Sequence, residues 1–125
     1  MERELVNLII INAVTIIYWI ITLIYREYNK KDITFLRNNV IGICDGWCVS
    51  HFIHYVILGY FASTYWPYII VLGIIFEFIE MALSKVNNYV DSQIIKDPIT
   101  NTLGLFIGIL LFKLFPHEID LSKPF

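Results

Sequence analysis

Four apolar stretches dominate this chain and restrict it to a membrane fold. Residues 5–25, 66–83 and 98–115 are mostly apolar, and 45–62 is a weaker fourth stretch by hydropathy. A helix of about 20 apolar residues spans the hydrocarbon core of a bilayer, where only helices and closed barrels satisfy every backbone polar group. Of the 125 residues, 58% are hydrophobic and 16% charged, more apolar surface than a soluble domain of this length can bury. The expected fold is an all-α integral membrane protein forming one domain over 1–125, with about four transmembrane helices. Net charge is −2 and the nine basic residues are scattered, so nothing points to nucleic acid as a partner.

The first stretch, 5–25, places Tyr18, Trp19 and Tyr25 for a membrane interface, and its polar residues Asn12, Thr15 and Thr22 are neutral. It follows Met1-Glu-Arg-Glu4, which is not a basic leader, and has no small-residue cleavage site, so it reads as an anchoring membrane helix and not as a signal peptide. Over 32–43, Ile33, Leu36, Val40 and Ile43 recur at helical spacing around Arg37, Asn38 and Asn39, with Asp32 as N-cap. That pattern predicts a short interfacial amphipathic helix, with a loop as the alternative. Pro67 suits the first turn of a helix over 66–83. Asp97 and Pro98 read as N-cap and first residue of a helix over 98–115, which Pro116 ends. Within it Asn101, Gly104 and Gly108 form a small-residue stripe that lets membrane helices approach closely. The tail, 117–125, carries no readable pattern.

Basic residues set the expected orientation. Arg26, Lys30, Lys31, Arg37, Lys85 and Lys96 lie in the two long loops, against Arg3, Lys113 and Lys123 on the other side. Both long loops are therefore expected in the cytosol and both termini outside. The compartment stays open: endoplasmic reticulum for a eukaryotic or viral chain, inner membrane for a bacterial one.

Glu77 and Glu80 interrupt the most apolar stretch, and residues three apart share a helical face. Each charge costs about 2.5–3.5 kcal/mol near mid-bilayer on insertion scales, so the pair needs neighbours. Counted from the cytosolic ends of their helices at 1.5 Å per residue, His51 lies about 10 Å deep and His54 about 15 Å. On the same count Glu80 lies at about 5 Å, Glu77 at about 10 Å and Asn101 at about 6 Å, with Asp97 at the mouth. Three helices thus bring their polar residues to one layer, which is the pattern of a functional site. The plainer reading makes His51 and His54 interhelical hydrogen-bond partners, Asp97 a cap and the glycines packing.

Glu77, Glu80, Asn101 and a loop aspartate are hard oxygen donors, suited to calcium, magnesium or manganese. A competing set, Cys44, Cys48, His51 and His54, runs along what reads as one continuous helix and matches no zinc spacing. The cysteines, four residues apart, do not form a secreted disulfide pattern either.

These residues also carry a family resemblance. The string Asp45-Gly-Trp-Cys-Val-Ser-His51-Phe52, then Glu77-Phe-Ile-Glu80, Asp91, and Asp97-Pro-Ile-Thr-Asn101-Thr-Leu-Gly104 is similar to the core of eukaryotic base-exchange phosphatidylserine synthases. The ending from Asp97 to Gly104 also resembles the VanZ-like membrane proteins, and residues 45–54 resemble a small bacterial family of unknown function. The likeness covers about residues 45–112, and the synthases are much larger, with several more spans.

The resemblance implies exchange of a phospholipid head-group alcohol at the cytosolic membrane face, with a membrane lipid and a small alcohol such as serine as substrates. It implies catalytic roles for His51 and Glu77, substrate contacts from Asp45 and His54, and a divalent cation held by Glu80, Asp91, Asp97 and Asn101. Calcium comes first, with manganese or magnesium as alternatives. Two other readings compete: a proton or cation transporter or channel, and a non-catalytic VanZ-like scaffold. Four short spans bury little on their own, which leaves a homo-dimer open.

Overall fold

The computed structural model describes residues 2–31, 39–41, 44–87 and 96–123. Four helices account for most of it: α1 Glu2–Asn29, α2 Gly46–Phe61, α3 Trp66–Ser84 and α4 Lys96–Leu114. A 3-10 turn, Ser63–Tyr65, joins α2 to α3, and a short antiparallel ladder of β1 (Asn39–Ile41) and β2 (Cys44–Asp45) leads into α2. The all-α expectation holds apart from that ladder.

Among the described residues three helices are long and apolar enough to cross a membrane: 2–29, 63–84 with its leading turn, and 97–114. α2, with 16 residues, is about 24 Å long, short of the roughly 30 Å hydrocarbon core. Three clear candidates and one shorter helix therefore replace the expected four. Large apolar side chains stay exposed along the bundle, among them Ile17, Ile21 and Ile24 on α1, Val71 and Phe78 on α3, and Phe106 and Leu110 on α4. Such continuous apolar flanks suit a lipid environment.

Two boundaries depart from the sequence reading. The interfacial helix expected over 32–43 falls largely outside the described residues, and its described part, Asn39–Ile41, is a strand paired with Cys44–Asp45. The β-branched pair Val40 and Ile41 favours the extended backbone. α4 begins at Lys96, so Asp97 sits inside the first turn instead of capping it.

α2 and α4 form the tightest pair, and glycine makes their approach feasible. A Cβ on Gly108 would run into Val56 O, one on Gly59 into Leu105 O, and one on Gly104 would stand 2.6 Å from Phe52 O. At Gly104 and Gly108, α4 therefore meets a glycine and backbone carbonyls of α2 directly. Leu8 and Ile11 of α1, Tyr55, Leu58 and Ala62 near or on α2, Ile69 of α3 and Leu105 of α4 form the buried core around this seam.

The far end of the bundle is pinned by polar groups. Glu4 accepts hydrogen bonds from Ser63 Oγ, Thr64 N and Thr64 Oγ1, capping the 3-10 turn. Asn7, fully buried, donates to Phe61 O and Ile119 O and accepts from Leu121 N. His117 stacks on Tyr60 and bonds its backbone carbonyl at 2.7 Å. The tail, patternless in sequence, is thus docked against α1 and α2.

Candidate functional site

The opposite end gathers the C-termini of α1 and α3 with the N-termini of α2 and α4. Asp45 caps α2, its Oδ1 accepting Cys48 N at 2.9 Å, and this fixes the first turn that carries Trp47, Cys48 and then His51. His51 Nε2 stands 3.9 Å from Asp97 Oδ2 across the α2–α4 seam. Glu80, from α3, joins them: one ligand atom each from His51, Glu80 and Asp97 lies within 4.8 Å of the others. Glu80 and Asp97 are buried, as are Glu77 and Asn101.

Asn101 follows Asp97 by one helical turn, so both side chains point along the same face of α4. Its Oδ1 is buried without a hydrogen-bond partner among the described residues. A buried acceptor left unsatisfied costs about 1–3 kcal/mol, and a cation at the cluster is one way to satisfy it. Two carboxylates, with the imidazole beside them and the amide oxygen of Asn101 one turn along α4, could hold a hard divalent cation.

The remaining sequence candidates fall as follows. Glu77 lines a cavity beside the cluster, and Asp97 brings a carboxylate oxygen to 3.9 Å from His51 Nε2. His54 lines the same cavity and pairs through Nε2 with Asn12 Oδ1 of α1 at 3.2 Å. Asp45 serves as the α2 cap. Asp91 lies outside the described residues.

The cysteines overturn their sequence reading. Cys44 and Cys48 form a disulfide with Cα atoms 5.2 Å apart. The helix begins at Gly46, so Cys44 sits in β2 and the two sulfurs meet across the cap instead of running along one helix. This also removes both sulfurs from the competing zinc set. Cys48 Sγ lies 3.9 Å from Thr100 Oγ1, so the disulfide end of α2 touches the first turns of α4.

Arg26 is a site-end residue that sequence reasoning took only as a loop charge. It is 1% exposed, its Nε donates to Thr22 O, and its guanidinium carbon lies 4.9 Å from the Trp47 ring centroid. Stacking on an aromatic face holds an arginine plane in place.

The cavity beside the cluster holds about 290 Å³ and is bounded by α1, α2 and α3, with Asn101 contributed by α4. A smaller one of about 50 Å³ lies between α2, α3 and α4, and Tyr55, Gly73 and Asn101 line both. No protein family, curated protein or solved structure matches the chain.

Proposed function

We propose that this chain is a membrane enzyme that exchanges phospholipid head groups, in the manner of the base-exchange phosphatidylserine synthases that its motifs resemble. The observation that carries this reading is the meeting of His51, Glu80 and Asp97 ligand atoms within 4.8 Å, from three different helices, beside an apolar cavity that His51 lines. Phosphodiester chemistry at a bilayer needs a base, a countercharge for the phosphate and an apolar place beside them. His51 suits the first, a cation held by the carboxylates would supply the second, and the cavity suits the third.

Glu80, Asp97 and Asn101 would hold a divalent cation, which supplies positive charge to the phosphate oxygens. His51 accepts the proton of the incoming alcohol, whose oxygen bonds to phosphorus as the bond to the departing head-group oxygen breaks. The proton then passes from His51 to that departing alcohol. Asp97, beside the ring at 3.9 Å, stabilises the imidazolium formed between the two transfers. Glu77, on the cavity wall beside the cluster, would contact the head group.

The test is head-group exchange by purified protein in mixed phospholipid vesicles, with labelled serine or ethanolamine and the lipid product read by mass. Exchange is expected with divalent cation, and its loss is expected with chelator and in His51→Ala or Glu80→Ala. Exchange that persists in those variants overturns the assigned roles. Proton or metal flux into sealed vesicles without lipid turnover would assign the site to transport.

A further inference from the structure

The cavity beside the cluster has a form that head-group chemistry alone does not require. Along α2 it extends from Trp47 to Leu58, about 16 Å at 1.5 Å per residue. Its inner end is sealed by Leu58 and Ile69, which are 1% and 2% exposed. Its flank is open: Ile16 on α1 and Leu72, Ile75 and Ile79 on α3 line it, yet each stays about half exposed on the side where the bundle is otherwise apolar. α1 and α3 meet across it in an edge-to-face contact between Trp19 and Phe76, with centroids 5.6 Å apart.

Polarity is graded along this cleft. Ser50, His51, Glu77 and Asn101 contribute to it near the cluster. Deeper in, Thr15 Oγ1 donates to Ile11 O and His54 pairs with Asn12, while the remaining wall is mainly aliphatic and aromatic. The deeper wall is therefore effectively apolar. A cleft with a polar, cation-fitting mouth, an apolar body and a side open to lipid matches an amphiphile drawn from the bilayer.

We infer that the cleft between α1 and α3 seats one acyl chain of a glycerophospholipid whose phosphate lies at His51, Glu80 and Asp97. The inference rests on the head-group reading above and specifies how its lipid is held. At about 290 Å³ the cleft takes part of one chain, and the second chain remains in the bilayer. Lipid tails are as apolar as the leucine and isoleucine walls, so the seat is favoured by close packing in the cleft together with the hold on the phosphate, and not by hydrophobic transfer. Its effect is positional: a chain lying between Trp47 and Leu58 brings its phosphate to the cluster and not elsewhere on the membrane face.

The experiment uses the purified full chain, stripped of lipid in detergent and then given phosphatidylethanolamine carrying a photoactivatable group on one chain. Native mass spectrometry should find one retained lipid per chain, and cross-links should concentrate on the α1 and α3 segments holding Ile16, Leu72 and Ile75. Leu72→Trp, which fills the cleft, should lower occupancy about tenfold, whereas Val71→Trp, on the neighbouring exposed face, should leave it unchanged. Ile75→Phe repeats the test with a smaller intrusion, and equal helix content across the variants confirms folding.

Equal occupancy in Leu72→Trp and Ile75→Phe, cross-links spread evenly over the outer faces, or two chains joined through the cleft would overturn the inference. Binding is read without turnover, which separates the two claims. Lipid seated in the cleft without head-group exchange overturns the enzyme and leaves the seat standing. Exchange undiminished when the cleft is filled overturns the seat and leaves the enzyme.

Discussion

His51 Nε2 and Asp97 Oδ2 lie 3.9 Å apart, one carried by α2 and the other by α4, so the spacing of these two helices sets the geometry of the site. That spacing is in turn set several turns away, where glycines let the two backbones touch. The cluster is therefore a consequence of packing deep in the bundle as much as of its own residues.

Gly108→Ala tests this link. The added methyl would collide with Val56 O and stand 2.8 Å from Gly59 Cα, so backbone must move. Overpacking of this kind costs about 1–3 kcal/mol. Thermal unfolding in detergent should show that loss, and cation affinity should fall with it even though Gly108 is remote from the cluster. Gly73→Ala is the contrast, since its methyl would meet the hydroxyl end of Tyr55, a side chain that can give way.

Asn7→Ala should release the tail. The substitution removes the partners of Phe61 O, Ile119 O and Leu121 N at once. Buried backbone groups left without partners cost about 1–3 kcal/mol. Limited proteolysis should then cut within 115–123 much faster than in the wild-type chain, with the rest of the bundle still protected.

The His54–Asn12 pair distinguishes an interhelical strut from a substrate contact. A double-mutant cycle with His54→Ala and Asn12→Ala should give a coupling of about 0.6 kcal/mol, the average for hydrogen bonds between membrane helices. No coupling, together with weaker substrate binding in His54→Ala alone, would return His54 to the substrate.

Cys44 and Cys48 should both resist maleimide in the purified chain until a reductant is added, and then take up two labels. Labelling without reductant would show that the disulfide is absent. Cys44→Ser with Cys48→Ser should lower the melting temperature only slightly, because closing so short a loop removes little chain entropy.

Much of this arrangement was legible in sequence, and the reasons are physical. Apolar length fixed the helices of 5–25, 66–83 and 98–115, because hydropathy over about 20 residues is a long and redundant signal. Depth counting brought His51, Glu80, Asp97 and Asn101 to one layer, because rise per residue is constant along a helix. The disulfide was not legible, since it depends on α2 starting at Gly46 and leaving Cys44 in a strand. Nor was the docked tail, because the anchor is Asn7, whose single amide gives no sign of the distant carbonyls it serves. Arg26 looked like a loop charge because sequence shows that a cation lies near a helix end, not that it folds back over Trp47.

A cation held by Glu80, Asp97 and Asn101 beside a His51 left free to act as base is the core of the mechanism, and manganese binding followed by electron paramagnetic resonance tests it most directly. The wild-type chain should bind one Mn²⁺, displaced by Ca²⁺, and Asp97→Asn and Glu80→Gln should each lose it while Glu118→Gln keeps it. Binding that survives both substitutions, or no binding in the wild-type chain, would contradict the account.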